Sequence, residues 1–538
     1  MKKTTVKTVA SVTLITALGF TGYLAANGAP PVAAAPNAAA VQKLDAQTHY
    51  SDEDLKWDSS DEKAIDLANP AAADGVNVNN GTITITADGT YRLSGEYNGQ
   101  VKIEAGKSDT VRLVLDNAKI TNSTGPAINV AGAGEAIIYT ASGTANTIAD
   151  GANYAAKGAD DPDAAIYSTA NLTLAGEGSL SVKGSYKAGV HTTDGLVIAN
   201  GTLDVSATKA GIKGKDYVDI VGGTVKVTAG QDGIKSTNTD DENKGFTRLS
   251  DGSVTISAGD DGLKAPRTLE ISGGTLNIEK SNEGIEGQYV NVLDGEVTVN
   301  STDDGINASF KDSSSDTSSD TASGTAAAGQ QTQQNQNGQV QQAPAGGGAA
   351  PGGSQGSTGQ NQNMPQPPTD GAMPGGGGGT FEVVDAAINI SGGTVTVNAE
   401  GDGIDSNGTA TFSGGTVTVN GPVAGGNNAL DSNGDLLLNG GTVTAGSTSD
   451  MFEAPSSAST SGYLKITDSS ALTQGSTVQV ADSSGEVVAN YKITTSGVQL
   501  VLVSNKNIVK GQSYTVSVTS GDVDIDSTDV ANGATELG

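Results

Sequence analysis

Ala210-Gly-Ile-Lys-Gly-Lys-Asp-Tyr-Val-Asp-Ile-Val-Gly-Gly-Thr-Val-Lys-Val-Thr-Ala-Gly-Gln231 runs straight into Asp232-Gly-Ile-Lys, so the motif that opens this stretch returns after 22 residues. The same turn reads Ala-Gly-Val at 188–190, Asp-Gly-Leu at 261–263, Glu-Gly-Ile at 283–285 and Asp-Gly-Ile at 304–306 and 402–404, with a decayed Asn-Ala-Leu at 428–430. A second landmark, a glycine that opens a Thr/Ser/Glu-Val/Leu strand, recurs at Gly201, Gly223, Gly252, Gly274, Gly295, Gly393, Gly415 and Gly441. In six coils it follows the turn glycine (or Ala429 in its place) by 11 or 12 residues. Two landmarks that keep step over a fixed period mark a solenoid in which each repeat is one coil. About 22 residues with roughly three short strands, Thr224-Val-Lys-Val being typical, fit one turn of a parallel β-helix. The chain is therefore read as all-β, a single-stranded parallel β-helix. Ile212, Ile234, Leu263, Ile285, Ile306 and Ile404 are predicted to stack inward as one aliphatic ladder.

Breaks in the register locate the remaining parts. Gly233 and Gly252 are 19 residues apart, which places seven extra residues in an acidic loop within 236–246. Gly305 and Gly393 are 88 apart. The excess, 310–381, is largely Gly, Gln, Asn, Ser, Ala and Pro, which cannot bury enough apolar surface to fold and is predicted to be disordered. A small bulged loop falls at 421–424. The expected organisation is an export signal or N-terminal anchor at 1–30, a spacer at 31–75 and the β-helix at 76–309. After the insertion, the β-helix continues over 382–450, and a non-repeating β cap closes its end at 451–538. Lys2, Lys3 and Lys7 precede a mostly apolar stretch from Val9 to Leu24, short for a membrane span and diluted by Ser and Thr. The protein is expected to be secreted or held at the cell surface.

Sixty Asp+Glu against 29 Lys+Arg leave a net charge of −31. That balance repels nucleic acid and anionic lipid and suits divalent cations. With no cysteine, no disulfide staples the chain. Before the turn glycine stand Asp232, Asp261, Glu283, Asp304 and Asp402; Asp260 and Asp303 double two of them, and Glu286, Asp405 and Asp431 follow the turn. Coils about 4.8 Å apart bring these carboxylates close enough to repel. Ca²⁺ resolves such a row, because it takes 6–8 oxygen ligands. The candidate ligands are Asp232, Asp260, Asp261, Glu283, Asp303, Asp304, Asp402 and Asp405. His49 and His191 alone offer no zinc or copper ligand set. The plainer alternative is a row of solvated turns, in which Asp bonds its own backbone and Gly takes positive φ. Two residues past the turn glycine, a further column reads His191, Lys213, Lys235, Lys264, Glu286, Asn307 and Asp405. Lys213, Lys235 and Lys264 are salt-bridge partners of the acids on the plain reading. On the functional one they hold an anionic sugar or abstract a proton α to its carboxylate. His191 is read as an ordinary turn residue.

Gly89-Thr-Tyr-Arg-Leu-Ser-Gly95, the segment 111–120, Ala170-Asn-Leu-Thr-Leu with Gly-Ser-Leu-Ser-Val at 178–182, Gly211-Ile-Lys-Gly-Lys-Asp216 and Asp232-Gly-Ile-Lys-Ser-Thr-Asn238 resemble the bacterial carbohydrate-binding β-helix family. The resemblance spans about 45–520, apart from the insertion. It implies a right-handed helix, bound Ca²⁺, export to the surface, and binding of polygalacturonate or cellulose. The chain is also similar in fold to calcium-dependent pectate lyases, one class of which uses a lysine base. The expected function is that of an extracellular, monomeric, calcium-binding and carbohydrate-binding protein without catalysis. Its partners are polysaccharide and calcium. A polysaccharide lyase with Lys213, Lys235 or Lys264 as base ranks second, because only Arg248 and Arg267 lie near enough to stabilise an enolate. A surface adhesin or structural spacer is the third reading. Aromatic residues are only 4% of the chain, which argues against a stacking platform for sugars.

Overall fold

A computed structural model describes residues 44–158, 160–310, 382–448, 451–468 and 471–520, with the backbone of 535–537. The export signal lies outside the described residues, as does the insertion from 311 to 381. Three short strands per coil stack in register into three parallel faces. The first face includes Ala188–Thr192, Ile212–Gly214, Ile234–Ser236, Ile306–Ala308, Ile404–Ser406 and Leu430–Ser432. The second includes Gly195–Ile198, Tyr217–Ile220, Phe246–Leu249, Ala387–Ile390 and Thr409–Phe412. The third includes Thr202–Ala207, Thr224–Ala229, Ser253–Ser257, Glu296–Ser301, Thr394–Ala399, Thr416–Asn420 and Thr442–Ser447. About 13 coils result. Among the described residues the only helical elements are 3₁₀ turns at Asp52–Leu55 and Ser59–Asp61.

Alternation along each strand sends every second residue inward, and stacking turns those residues into ladders. Ile212, Ile234, Leu263, Ile285, Ile306 and Ile404 form the predicted ladder of the first face, Val190 and Leu430 extend it by one coil at each end, and all are buried. The Val-x-Val pairs of the third face close the core from the other side. Between these two faces the chain must pass tightly, and that sets the turn glycine. A Cβ on Gly211 would stand 2.2 Å from Val227 Cγ1 and 2.6 Å from the Gly233 carbonyl oxygen. Positive φ is not the reason, contrary to the sequence expectation; that conformation belongs to the second landmark, as at Gly223 (φ 90°) and Gly252 (φ 92°).

The span expected as a spacer, 31–75, is structured from Leu44 onward. Lys63–Asp66 joins the second face as a parallel strand, pairing with Gly89–Asn98. Residues 44–57 form a strap over the second face. Leu44 N–H donates to Glu270 Oε2 at 2.8 Å, Arg248 donates to the Ala46 carbonyl, and Arg112 donates to the Asp54 carbonyl. In its middle His49 meets Tyr217 OH at 2.7 Å and Thr173 Oγ1 at 2.9 Å. At the far end of the solenoid the sheet turns antiparallel, with Leu500–Asn505 pairing against Thr442–Ser447. Ser476–Ala481, Val487–Lys492 and Thr515–Ser520 form a separate three-stranded sheet with its own small core. This is the non-repeating β cap.

Candidate metal and carbohydrate site

Because Ile212 and its equivalents point inward, the next residue of each coil points out, and register fixes the order of that column. It runs Tyr167, His191, Lys213, Lys235, Lys264, Glu286, Asn307, Asp405, Asp431 in consecutive coils. The acids before the turn stack beside it. Gly211 N–H donates to the Asp232 carbonyl, Gly233 to Asp261, Gly262 to Glu283, Gly284 to Asp304 and Gly305 to Asp402. Two columns of charge therefore descend one edge of the solenoid, and they divide into three parts.

The first part is basic. His191 lies in a strand, not a turn as expected, and its Nδ1 meets Asp163 Oδ1 at 2.5 Å. Burial pulls the His191 pKa down against the opposing pull of Asp163. Lys213 makes no ion pair among the described residues. Burial holds its pKa below the ordinary lysine value, with Asp163 pulling the other way and Lys235 and Lys187 adding to the depression.

In the second part, two lysines pair with some of five acids. Lys235 Nζ reaches Asp232 Oδ2 at 2.5 Å, and Lys264 Nζ reaches Asp261 Oδ2 at 2.6 Å and also pairs with Glu286. Burial opposes the charge on Lys264, but Asp261 and Glu286 outweigh it and raise its pKa. Two acid groups lie here, Asp232 with Asp260 and Asp261, and Asp261 with Glu283 and Glu286; within each, carboxylate oxygens approach to within 4.8 Å. Asp260 is the exposed member. Asp232, Asp261 and Glu286 thus each have a lysine partner.

The third part has no such compensation. Asp304, Asp402 and Asp405 each bring one carboxylate oxygen within 4.8 Å of the others. Burial, with neighbouring carboxylates, pushes Asp304 and Asp402 up to about 6 and Asp405 up to about 7. The charges that act most on them are all negative: one another, Asp303, Asp431 and Glu283. Asp304 Oδ1 accepts the Asp402 N–H at 2.7 Å, and Asp402 Oδ1 accepts the Asn428 N–H. The acids thus bond the next coil's backbone, not their own as in an Asx turn, and each keeps a second oxygen. Asn307, next to Asp405 in the column, has a buried Oδ1 that accepts no hydrogen bond. Three half-buried carboxylates and an orphaned carbonyl oxygen offer oxygen ligands of the kind a hard divalent cation takes. Of the eight acids expected as ligands, Asp304, Asp402 and Asp405 fit this description. Asp303 adds charge beside them, whereas Asp232, Asp260, Asp261 and Glu283 sit in the two groups that lysine enters.

Two participants escaped the sequence reading. Asp163, the partner of His191, comes from an irregular loop between coils. Glu453 comes from beyond the repeats and accepts the Ser432 N–H at 2.6 Å; burial, reinforced by Asp431, pushes it up to about 8. Neither lies at a periodic position, so only the folded chain brings them to the column.

Residues 79–338 match the model of a family described as carbohydrate-binding domain-containing protein. A carbohydrate-binding domain-containing protein of Acetivibrio thermocellus is 34% identical over 145 residues, covering 26% of this chain and 51% of that protein. The chain thus spans about half the length of this curated relative. Among solved structures, a polysaccharide lyase-like protein from C. thermocellum is similar at 30% identity, covering 44% of this chain and 99% of its own, with a TM-score of 0.39. The family match and the stacked parallel coils together fit a carbohydrate-binding β-helix.

Proposed function

We propose that this is an extracellular carbohydrate-binding protein that holds Ca²⁺ at Asp304, Asp402 and Asp405 and recognises acidic polysaccharide without catalysis. The observation that carries the reading is the third part of the acid column, three half-buried carboxylates with no lysine among them, beside the orphaned Asn307 oxygen. A bound cation would supply positive charge on an otherwise repelling surface, where the carboxylates of a polymer such as polygalacturonate could complete its coordination. Lys213, at the other end of the column, would hold a further sugar carboxylate. Lys235 and Lys264, engaged by acids, would chiefly order the coils between them. The carbohydrate-binding family match supports the sugar part of this reading.

Thermal unfolding with Ca²⁺ and then with chelator tests it, together with retention on immobilised polygalacturonate. A rise in Tm with Ca²⁺ that Asp304→Asn/Asp405→Asn abolishes, and calcium-dependent retention, are the expected results. Absence of any shift at millimolar Ca²⁺ would reduce the acids to structural turn residues.

One observation favours the lyase as a second reading, and it narrows the base to Lys213. A half-buried amine with a depressed pKa and no ion pair among the described residues is suited to take the proton α to a uronate carboxylate, whereas Lys235 and Lys264 are engaged by their acids. The proton would pass to Lys213 Nζ as the glycosidic C–O bond β to that carboxylate breaks, a C=C bond forms and the departing oxygen takes a proton from water. Unsaturated product absorbing in the ultraviolet, lost in Lys213→Ala, is the outcome that would promote this reading.

A further inference from the structure

Residues 44–57 lie across the coils, not along them. The outward column of the second face beneath them runs Arg112, Ile137, Thr173, Val197, Asp219, Arg248 and Glu270, one position in each of seven consecutive coils. Leu44 is held at the Glu270 coil, Ala46 at the Arg248 coil, His49 over Tyr217 and Thr173, and Asp54 at the Arg112 coil. Six coil steps of about 4.8 Å make about 29 Å, and ten residues at full extension reach about 33 Å. The segment therefore crosses the seven coils nearly extended. None of residues 44–57 belongs to a strand. Side chains of the solenoid hold its backbone instead. Glu270, 1% exposed, accepts the Leu44 N–H at 2.8 Å, and Tyr217 OH accepts the His49 N–H at 2.9 Å. Arg248 and Arg112 donate to the Ala46 and Asp54 carbonyls at 3.3 and 2.7 Å. Leu44, Ala46 and Tyr50 pack on Val197, Tyr217 and Phe246, the last two with rings stacked 4.9 Å apart. Trp57 closes the far end, edge-on to Tyr139 with ring centroids 4.7 Å apart and the Arg112 guanidinium 4.9 Å from its own ring.

From this arrangement we infer that the strap is a releasable clasp, which docks after the coils it crosses have formed and locks those seven coils into one cooperative unit. A bare solenoid opens coil by coil, because each coil is coupled mainly to its neighbours. A coil between Arg112 and Glu270 can open only by also pulling against strap contacts on both sides of it. The order of closure follows from connectivity. Leu44 and Glu270 are 226 residues apart in sequence, so the bond between them waits for the coils in between. Contacts of such separation form late, because the intervening chain must be ordered first. Release needs no strand to unpair, since side chains alone grip the strap. It can swing on the exposed turn at 58–61, which leads into the first strand at Lys63–Asp66. The coils of Asp304, Asp402 and Asp405 lie past the Glu270 coil, outside the span of residues 44–57, so the inference does not depend on what those acids bind.

The test uses the full chain with a site-specific protease sequence inserted between Asp52 and Glu53, both exposed, folded first and then cut. Cutting should release the N-terminal fragment on gel filtration. It should also raise amide exchange by about tenfold or more in Glu135–Thr140, Asn171–Gly176, Gly195–Ile198, Tyr217–Ile220 and Phe246–Leu249, with Thr409–Phe412 unchanged. In the uncut chain, Trp57→Ala and His49→Ala alter no side chain of the solenoid and should give the same pattern. The rise in Trp57→Ala should reach Phe246–Leu249, which its ring does not touch. A fragment that stays bound after cutting, exchange unchanged once it has left, or a rise confined to the coils that the substituted residue touches overturns the inference. If the insertion prevents folding, the two substitutions decide alone.

Discussion

Asp405 shows how one position in the column changes role with its neighbours. Three coils earlier the same position is Lys264, which pairs with Asp261 and Glu286; here it is a third acid beside Asp304 and Asp402. Replacing it should therefore act in opposite directions with and without metal. In chelator at pH 7.5, Asp405→Asn should stabilise the fold by roughly 1–3 kcal/mol through relief of repulsion, an order-of-magnitude figure discounted for solvent screening. With Ca²⁺ present the variant should lose the parent's gain in Tm, so the two melting curves should cross over. Glu135 under the strap offers a cleaner pH test. Burial, with Asp54, pushes it up to about 7, while burial pulls His49 down to about 4. A raised carboxylate contributes stability that is present below its unfolded pKa and lost as pH rises through its folded one. The lowered histidine contributes stability above its unfolded pKa that is lost as pH falls towards 4, so the two partly offset each other on acidification. Glu135→Gln should accordingly be more stable than the parent at pH 7.5, by roughly 1–3 kcal/mol, and should lose that advantage by about pH 4.5, as Tm measured across the range would show.

At the scale of elements, the coil depends on two glycines with different duties. The turn glycine lets the first face pass the valines of the third, and the second glycine opens the third-face strand in a conformation that side chains rarely adopt. Gly274 (φ 72°) also stands where a Cβ would lie 2.7 Å from the Gly252 carbonyl oxygen. Gly274→Ala should cost about 1–3 kcal/mol in chemical denaturation. Ile306→Ala, in the inward ladder, should cost roughly 2–5 kcal/mol by cavity formation. The distinction between glycines was not legible beforehand. Both occur in turn-like sequence, and only the close approach of Val227 to Gly211 reveals that one is selected by space and the other by φ.

Across the molecule, a solenoid couples each coil mainly to its neighbours, so local stabilisation need not spread along the stack. Calcium at Asp304, Asp402 and Asp405 should therefore raise amide-exchange protection in Ile306–Ala308, Ile404–Ser406 and adjoining strands, and leave Ala164–Ser168 and Ala188–Thr192 nearly unchanged. Uniform protection throughout would mean that the coils unfold as one unit. The edge itself changes along its length, with Lys213 in no ion pair among the described residues, Lys235 and Lys264 paired to acids, and acids alone from Asp304 to Glu453. On the proposed function, that difference along the edge would give an anionic polymer an entry at one end and a cation-dependent hold at the other.

The 22-residue period was enough to determine the all-β solenoid, the inward ladder and the two aligned columns, because stacking equates every residue with its counterpart one coil away. It also named Asp304, Asp402 and Asp405 among the acids of the turn. Which of those acids remain unneutralised is a property of the folded molecule, since it depends on side chains that reach between coils. Lys264 bridges two of them, Asn307 leaves an oxygen orphaned, and Asp163 and Glu453 arrive from segments outside the repeat. The strap of residues 44–57 and the docking of the cap belong to the same class. Both are made where non-periodic chain packs on the periodic body, and periodicity carries no information about contacts of that kind.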